Sequence, residues 1–147
     1  MDQQTTQANY LAALKGSFTS ALRWHNLDEL WQVLRDDPLD DWFIYAIGSD
    51  VPQQPSTHAE LLQFIDKIDQ LLRQEHEEDY CGIVYADNLK QPQMIKIYDP
   101  NNLGVVCGFS DNPPLPGWIL SKIPPVDLVT TQIVPNNRKN WWRKLFG

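Results

Sequence analysis

No apolar run in this sequence of 147 residues approaches the ~20 needed for a membrane-spanning helix. Cysteine is almost absent, with only Cys81 and Cys107. Zinc sites need three or four ligands at close spacing such as CxxC, and two isolated thiols do not provide them. The segment MDQQTTQANY carries an acid and no early Lys or Arg, so it lacks the basic start and apolar stretch of a secretory signal. We therefore expect a cytosolic protein with reduced, buried thiols. The glycine spacing of a phosphate loop or a dinucleotide fingerprint is missing, as are GxSxG, HExxH and a DxDxDG calcium loop. No cofactor is expected.

Acids are missing from one place in particular. None follows Asp127, whereas Arg138, Lys139, Arg143 and Lys144 give that segment a charge of +4. The preceding body holds the other eight bases and all 19 acids, a formal −11. An acidic body lacks the basic face that phosphate contacts require, which argues against nucleic acid as a partner. Apolar residues at 42% and charged residues at 21% are ordinary globular usage and argue against wholesale disorder. A chain of this length buries roughly 68–70% of its unfolded surface, enough for a core without staples.

Pattern along the chain predicts an α+β domain over residues 1–125, with 1–9 polar and frayed. A short helical pattern runs from Tyr10 to Leu14 and stops near Gly16. FTSALRW (18–24) either continues it or alternates as a strand. In NLDELWQVLRDDP, Asn26 and Glu29 have capping-box spacing, Leu27, Leu30, Trp31 and Leu34 recur at helical spacing, and Pro38 ends the element. WFIYAIG (42–48) is a β-branched and aromatic run closed by Gly48, so it reads as a buried strand. Thr57 and Glu60 form a second capping box, opening a helix whose stripe is Leu61, Leu62, Phe64, Ile65, Ile68, Leu71 and Leu72. Strand patterns at 80–86, 93–99, 104–109 and 117–123 follow, joined by turn-rich connectors. The expected architecture is helices packed on one face of a mainly antiparallel sheet of about five strands, ending in a four-strand meander. Proline punctuation places the domain boundary near Pro125, with 126–137 as linker and 138–147 as a tail.

Each candidate for chemistry has a simpler structural reading. Cys81 and Cys107 both precede glycine inside predicted strands, yet no base flanks either to lower a thiol pKa. Buried structural thiols are the simpler reading. His58 and His76 sit about 27 Å apart along one helix and cannot share a metal; no metal site is expected. The clusters DDPLDD (36–41) and EHEEDY (75–80) read as solvated acidic faces. NPPLPGW fits an aromatic groove on a partner, or simply a rigid connector between strands.

The segment WWRKLFG (141–147) concentrates two of the six tryptophans beside two cations. At 100° per residue, Trp141, Leu145, Trp142 and Phe146 fall at about 0°, 40°, 100° and 140°, and Arg143 and Lys144 at about 200° and 300°. One face is apolar and the other cationic, with Asn140 available as a cap. A basic, Trp-rich amphipathic segment suits a membrane interface. The segment resembles the short C-terminal membrane-targeting helices of bacterial division-site ATPases, a likeness confined to the tail. It implies membrane contact and no ATPase, because the phosphate loop is missing.

Three functional readings follow. The first is a non-enzymatic cytosolic adaptor, tethered by Arg138, Lys139, Trp141, Trp142, Arg143, Lys144, Leu145 and Phe146 to an anionic membrane surface or a partner protein. A homodimer with two tails gains through effective concentration. The tail can instead fold back on its own domain. The second is a small-molecule or thiol-using site in a cleft between the central helix and the sheet, near Cys81, Tyr85, Tyr98 or Cys107. The third is a subunit of a larger assembly, using Trp24, Trp31, Trp42 and Trp118.

Overall fold

The computed structural model describes residues 3–76, 79, 81–101 and 115–128. Cys107, the strand expected at 104–109 and the whole tail 138–147 lie outside the described residues. The elements in chain order are α1 (Gln3–Leu14), β1 (Thr19–Ser20), α2 (Trp24–Asp36), β2 (Phe43–Ala46), α3 (His58–Glu75), β3 (Val84–Ala86), β4 (Met94–Ile97) and β5 (Trp118–Ser121). This is the expected α+β class.

Local chemistry accounts for most of these boundaries. Thr57 Oγ1 accepts from Glu60 N at 3.1 Å and Glu60 Oε1 accepts from Thr57 N at 2.8 Å, so the expected capping box opens α3. Of the expected stripe, Leu61, Phe64, Ile65, Ile68 and Leu72 are buried, and Leu62 and Leu71 sit half-buried at its margins. Helix α2 starts at Trp24, ahead of the cap expected at Asn26. Arg23 occupies the cap position, and Asn26 Oδ1 accepts from Arg23 N at 3.0 Å. Arginine has no side-chain acceptor, so only that half of a reciprocal cap forms. Helix α1 begins at Gln3, well before the apolar pattern at 10–14, with Thr5, Gln7 and Asn9 exposed and Tyr10 fully buried. Gly48, at φ 100°, closes β2, where a side chain would be strained.

The sheet order is β1-β3-β4-β5-β2, and every pair is antiparallel. Strands β3, β4 and β5 are consecutive neighbours, with Ile95 facing Leu120 across β4 and β5. Because side chains alternate, the register sorts them onto two faces. Ile44, Ala46, Val84, Ile95, Ile97, Trp118 and Leu120 join α2 and α3 in the larger core. Tyr45, Ile47, Met94 and Ile119 point the other way and pack with Tyr10 of α1. Two helices therefore share one face while α1 crosses the opposite one.

Helices α2 and α3 are also joined by polar contacts at their rim. Trp31 Nε1 donates to Asp69 Oδ1 at 3.1 Å, and Arg73 bridges Asp69 and Asp28 at 2.9 and 2.6 Å. Arg35 pairs with Asp66 at 3.1 Å. The exposed ion pairs contribute at most about 1 kcal/mol each, so the buried stripe holds the helices together. Replacing Phe64 by Ala is accordingly expected to cost about 3–5 kcal/mol. Leu22→Ala, at a side chain 52% exposed, is expected to stay within about 0.5 kcal/mol. Urea denaturation of the two variants measures the contrast.

Candidate functional site

A dense polar construction lies at one end of the sheet, where α2 runs out. Asp37 follows the helix, and Pro38 cannot continue it. Asp37 Oδ1 then accepts from Leu39 N at 3.2 Å, turning the chain toward Trp42 and β2. The acids of DDPLDD, expected to form one solvated face, are individually committed. Asp36 accepts from Gln32 Nε2 at 2.8 Å and Asp40 accepts from the backbone N of His58 at 2.6 Å. Asp37 and Asp41 both face Lys122 Nζ, at 2.9 and 3.7 Å. The same ammonium lies 5.4 Å from the centroid of the Trp42 ring.

Facing this group is the turn between β3 and β4, held by two of its own side chains. Asp87 Oδ1 accepts from the backbone N–H groups of Asn88, Gln93 and Met94 at 2.9, 2.9 and 3.2 Å. Asn88 Oδ1 accepts from Lys90 N at 2.9 Å and Gln91 N at 3.1 Å. Gln93 O in turn accepts from Lys122 N at 3.0 Å, locking the turn to the end of β5. Between these walls is a cleft of about 280 Å³, lined by Val33, Leu34, Asp37, Trp42, Lys90, Gln91, Pro92, Gln93 and Lys122.

Electrostatics at this end centre on the Asp37–Lys122 pair. The hydrogen bond from Lys122 holds the Asp37 carboxyl below the ordinary carboxylate range, and Asp37 in turn raises the Lys122 ammonium. Both side chains are about a quarter exposed, so the pair is only partly screened. Trp42 is 2% exposed, and its indole N–H has no hydrogen-bond acceptor among the described residues.

The residues singled out in the sequence fall elsewhere. Cys81 is fully buried in the larger core, and burial pushes its thiol pKa up, away from the reactive thiolate. Tyr85 and Tyr98 are brought together edge to face, with ring centroids 5.7 Å apart. They lie by Lys96, which faces Tyr85 across the β3–β4 ladder and stands 3.9 Å from the Phe18 ring centroid. Burial raises the Tyr98 pKa and lowers that of Lys96. The 280 Å³ cleft is lined by neither tyrosine and by no cysteine, and it opens beside α2 where the sequence pointed to the central helix α3. Cys107 and the tail residues Arg138, Lys139, Trp141, Trp142, Arg143, Lys144, Leu145 and Phe146 lie outside the described residues. Lys90 and Lys122 were not signalled by any motif; the one legible sign was the turn-rich segment DNLKQP that carries Lys90.

Among the described residues no group of three or more His, Cys, Asp or Glu side chains could hold a metal ion. No described helix is long and apolar enough to cross a membrane. Comparison with known proteins gives no match, whether to family models, to curated proteins or to solved structures.

Two outcomes test this geometry. Native Cys81 is expected to react with iodoacetamide at neutral pH at least ~10³-fold more slowly than in urea, as followed by mass spectrometry of its peptide. Asp37→Asn is expected to cost about 1 kcal/mol near neutral pH. Because the folded pKa of Asp37 is depressed, its contribution is present above the unfolded value of about 3.9 and is lost as pH falls through the folded one. The raised pKa of Lys122 gives a contribution present below about 10.4 and lost as pH climbs through the raised value. Denaturation curves of wild type and variant are therefore expected to converge at both acid and alkaline extremes.

Proposed function

We propose that this protein is a non-enzymatic adaptor whose acidic domain is held at an anionic membrane surface by the basic-aromatic tail 138–147. The observation that carries the reading is the charge split: −11 on the body against +4 on a segment whose four large apolar side chains share a helical face. Folding supports it from the other side. The backbone N of Leu128 donates to the Tyr45 hydroxyl at 3.3 Å, and Val126 and Leu128 pack on the smaller core. The domain is thus held as far as Leu128, and the ten residues to Arg138 span at most about 36 Å.

The energetics describe a reversible tether. Four bases near an anionic surface contribute about 1 kcal/mol each. Four partly buried apolar side chains add roughly 4–8 kcal/mol. Ordering the seven residues of the helix costs about 1–2 kcal/mol apiece. Gain and cost nearly cancel, so a monomer binds weakly and two tails on a dimer bind far better.

Co-sedimentation with liposomes tests the tether. The full chain is expected to pellet with anionic vesicles at low salt and to be released at high salt. A chain ending at Asn137 is expected to stay in the supernatant under both conditions. If neither chain pellets, the membrane reading is wrong, and the tail belongs to a protein groove or to its own domain.

A further inference from the structure

The 280 Å³ cleft at the end of the sheet is built from groups that the tether does not use. We propose that it binds a small monocarboxylate with an apolar body. The state of each polar group in its lining decides what it can take. Lys122 Nζ is held by Asp37 Oδ2 at 2.9 Å and lies against the Trp42 ring. Asp41, which does not line the cleft, reaches the same ammonium only at 3.7 Å. Both Asp37 oxygens are occupied, Oδ1 by Leu39 N and Oδ2 by Lys122. Lys90 is exposed and has no ion-pair partner among the described residues. Lys90 and Lys122 against Asp37 leave the lining with one excess positive charge, and the uncommitted one is that of Lys90. Trp42 lines the same space, and its indole N–H lacks an acceptor among the described residues. Both unpartnered groups are donors, so the ligand that satisfies them is an acceptor with negative charge.

Other ligand classes fit these groups less well. An amino acid brings an ammonium that needs a carboxylate, and the one carboxylate of the lining is already bonded through both oxygens. A dianion such as a phosphate monoester brings a second negative charge beside Asp37, with no free cation left to meet it. An inorganic anion leaves Val33, Leu34 and Pro92 facing water, and an uncharged apolar molecule leaves Lys90 and the indole N–H unmatched. A monocarboxylate sets its oxygens toward Lys90 and the indole N–H and its body against Val33, Leu34 and Pro92. The amides of Gln91 and Gln93 can turn either a donor or an acceptor toward it. The cleft holds roughly nine water volumes at ~30 Å³ each, the bulk of an acid with about nine non-hydrogen atoms. Its wall is rigid before any ligand arrives, because Asp87 and Asn88 hold the backbone from Lys90 to Gln93.

Isothermal titration calorimetry of the full chain with hexanoate, 4-methylpentanoate and benzoate tests the site. At least one is expected to bind saturably with Kd below about 1 mM. Three controls are each expected to bind at least ~10-fold more weakly than the best of these acids. They are leucine, which adds an ammonium to 4-methylpentanoate, 4-methylpentanamide, which removes the charge, and acetate, which removes the apolar body. Lys90→Ala, an exposed substitution that leaves the melting temperature unchanged, is expected to weaken the acid about tenfold, and Lys90→Arg to retain it. The tail is itself basic and apolar, so NMR locates the ligand: shifts are expected to cluster at Trp42, residues 90–93 and Lys122. Absence of saturable binding by all three acids overturns the proposal. So does leucine binding as tightly as the acids, undiminished binding by Lys90→Ala, or shifts confined to residues 138–147.

Discussion

Strands β2 and β5 have no face that can meet water. Phe43, Ile44, Tyr45 and Ala46 on one, and Trp118, Ile119, Leu120 and Ser121 on the other, are all buried. An antiparallel sheet with one wet face would alternate apolar and polar residues, and these two strands do not. The sheet therefore needs cover on both sides. Amphipathic α2 and α3 supply it on one side. On the other, α1 contributes Tyr10, helped by residues such as Phe18, Val51, Leu115, Ile123 and Val126 from connecting segments. That double cover also explains why α1, with almost no amphipathic pattern of its own, is helical: buried Tyr10, with Ala13 and Leu14 beside it, anchors its last turns on the smaller core.

Covering both faces pushes the polar chemistry to one end of the sheet. The α2 terminus and its loop, the start of β2, the β3–β4 turn and the end of β5 meet there, and the α2–β2 loop and the β3–β4 turn cannot satisfy their backbone groups by pairing as strands. Short side chains take over that work. Asp37, Asp87 and Asn88 each accept from nearby backbone N–H groups, and Lys122 bridges from β5 to the α2–β2 loop. The same loops leave the cleft between them, so it follows from how the sheet is terminated. Such a wall is preorganised, which lowers the entropy cost of holding a small ligand.

The proposed tether and the folded domain draw on different parts of the sequence and on different physics. A tail that binds through apolar burial and unspecific charge responds to salt and lipid composition.

Local chemistry by itself determined helix α3, because Thr57, Glu60 and the Leu61–Leu72 stripe act within the helix and need no distant partner. It also determined the buried character of β2, its closure at Gly48, the α+β class and the separation of an acidic body from a basic-aromatic tail. The start of α2 was only partly legible. Asn26 is not the cap but sits at the third helical position, and the helix starts earlier, at Trp24, whose ring packs under Arg73 at 4.8 Å and against His76, contacts from the far end of α3. Tertiary structure alone decided the strand order, which puts first strand β1 beside β3 and sends β2 to the opposite edge. It also decided the cleft. Lys122 meets Asp37 across 85 positions of sequence, and no periodicity or motif encodes a contact made only when the register of β5 against β2 and β4 sets where that lysine stands.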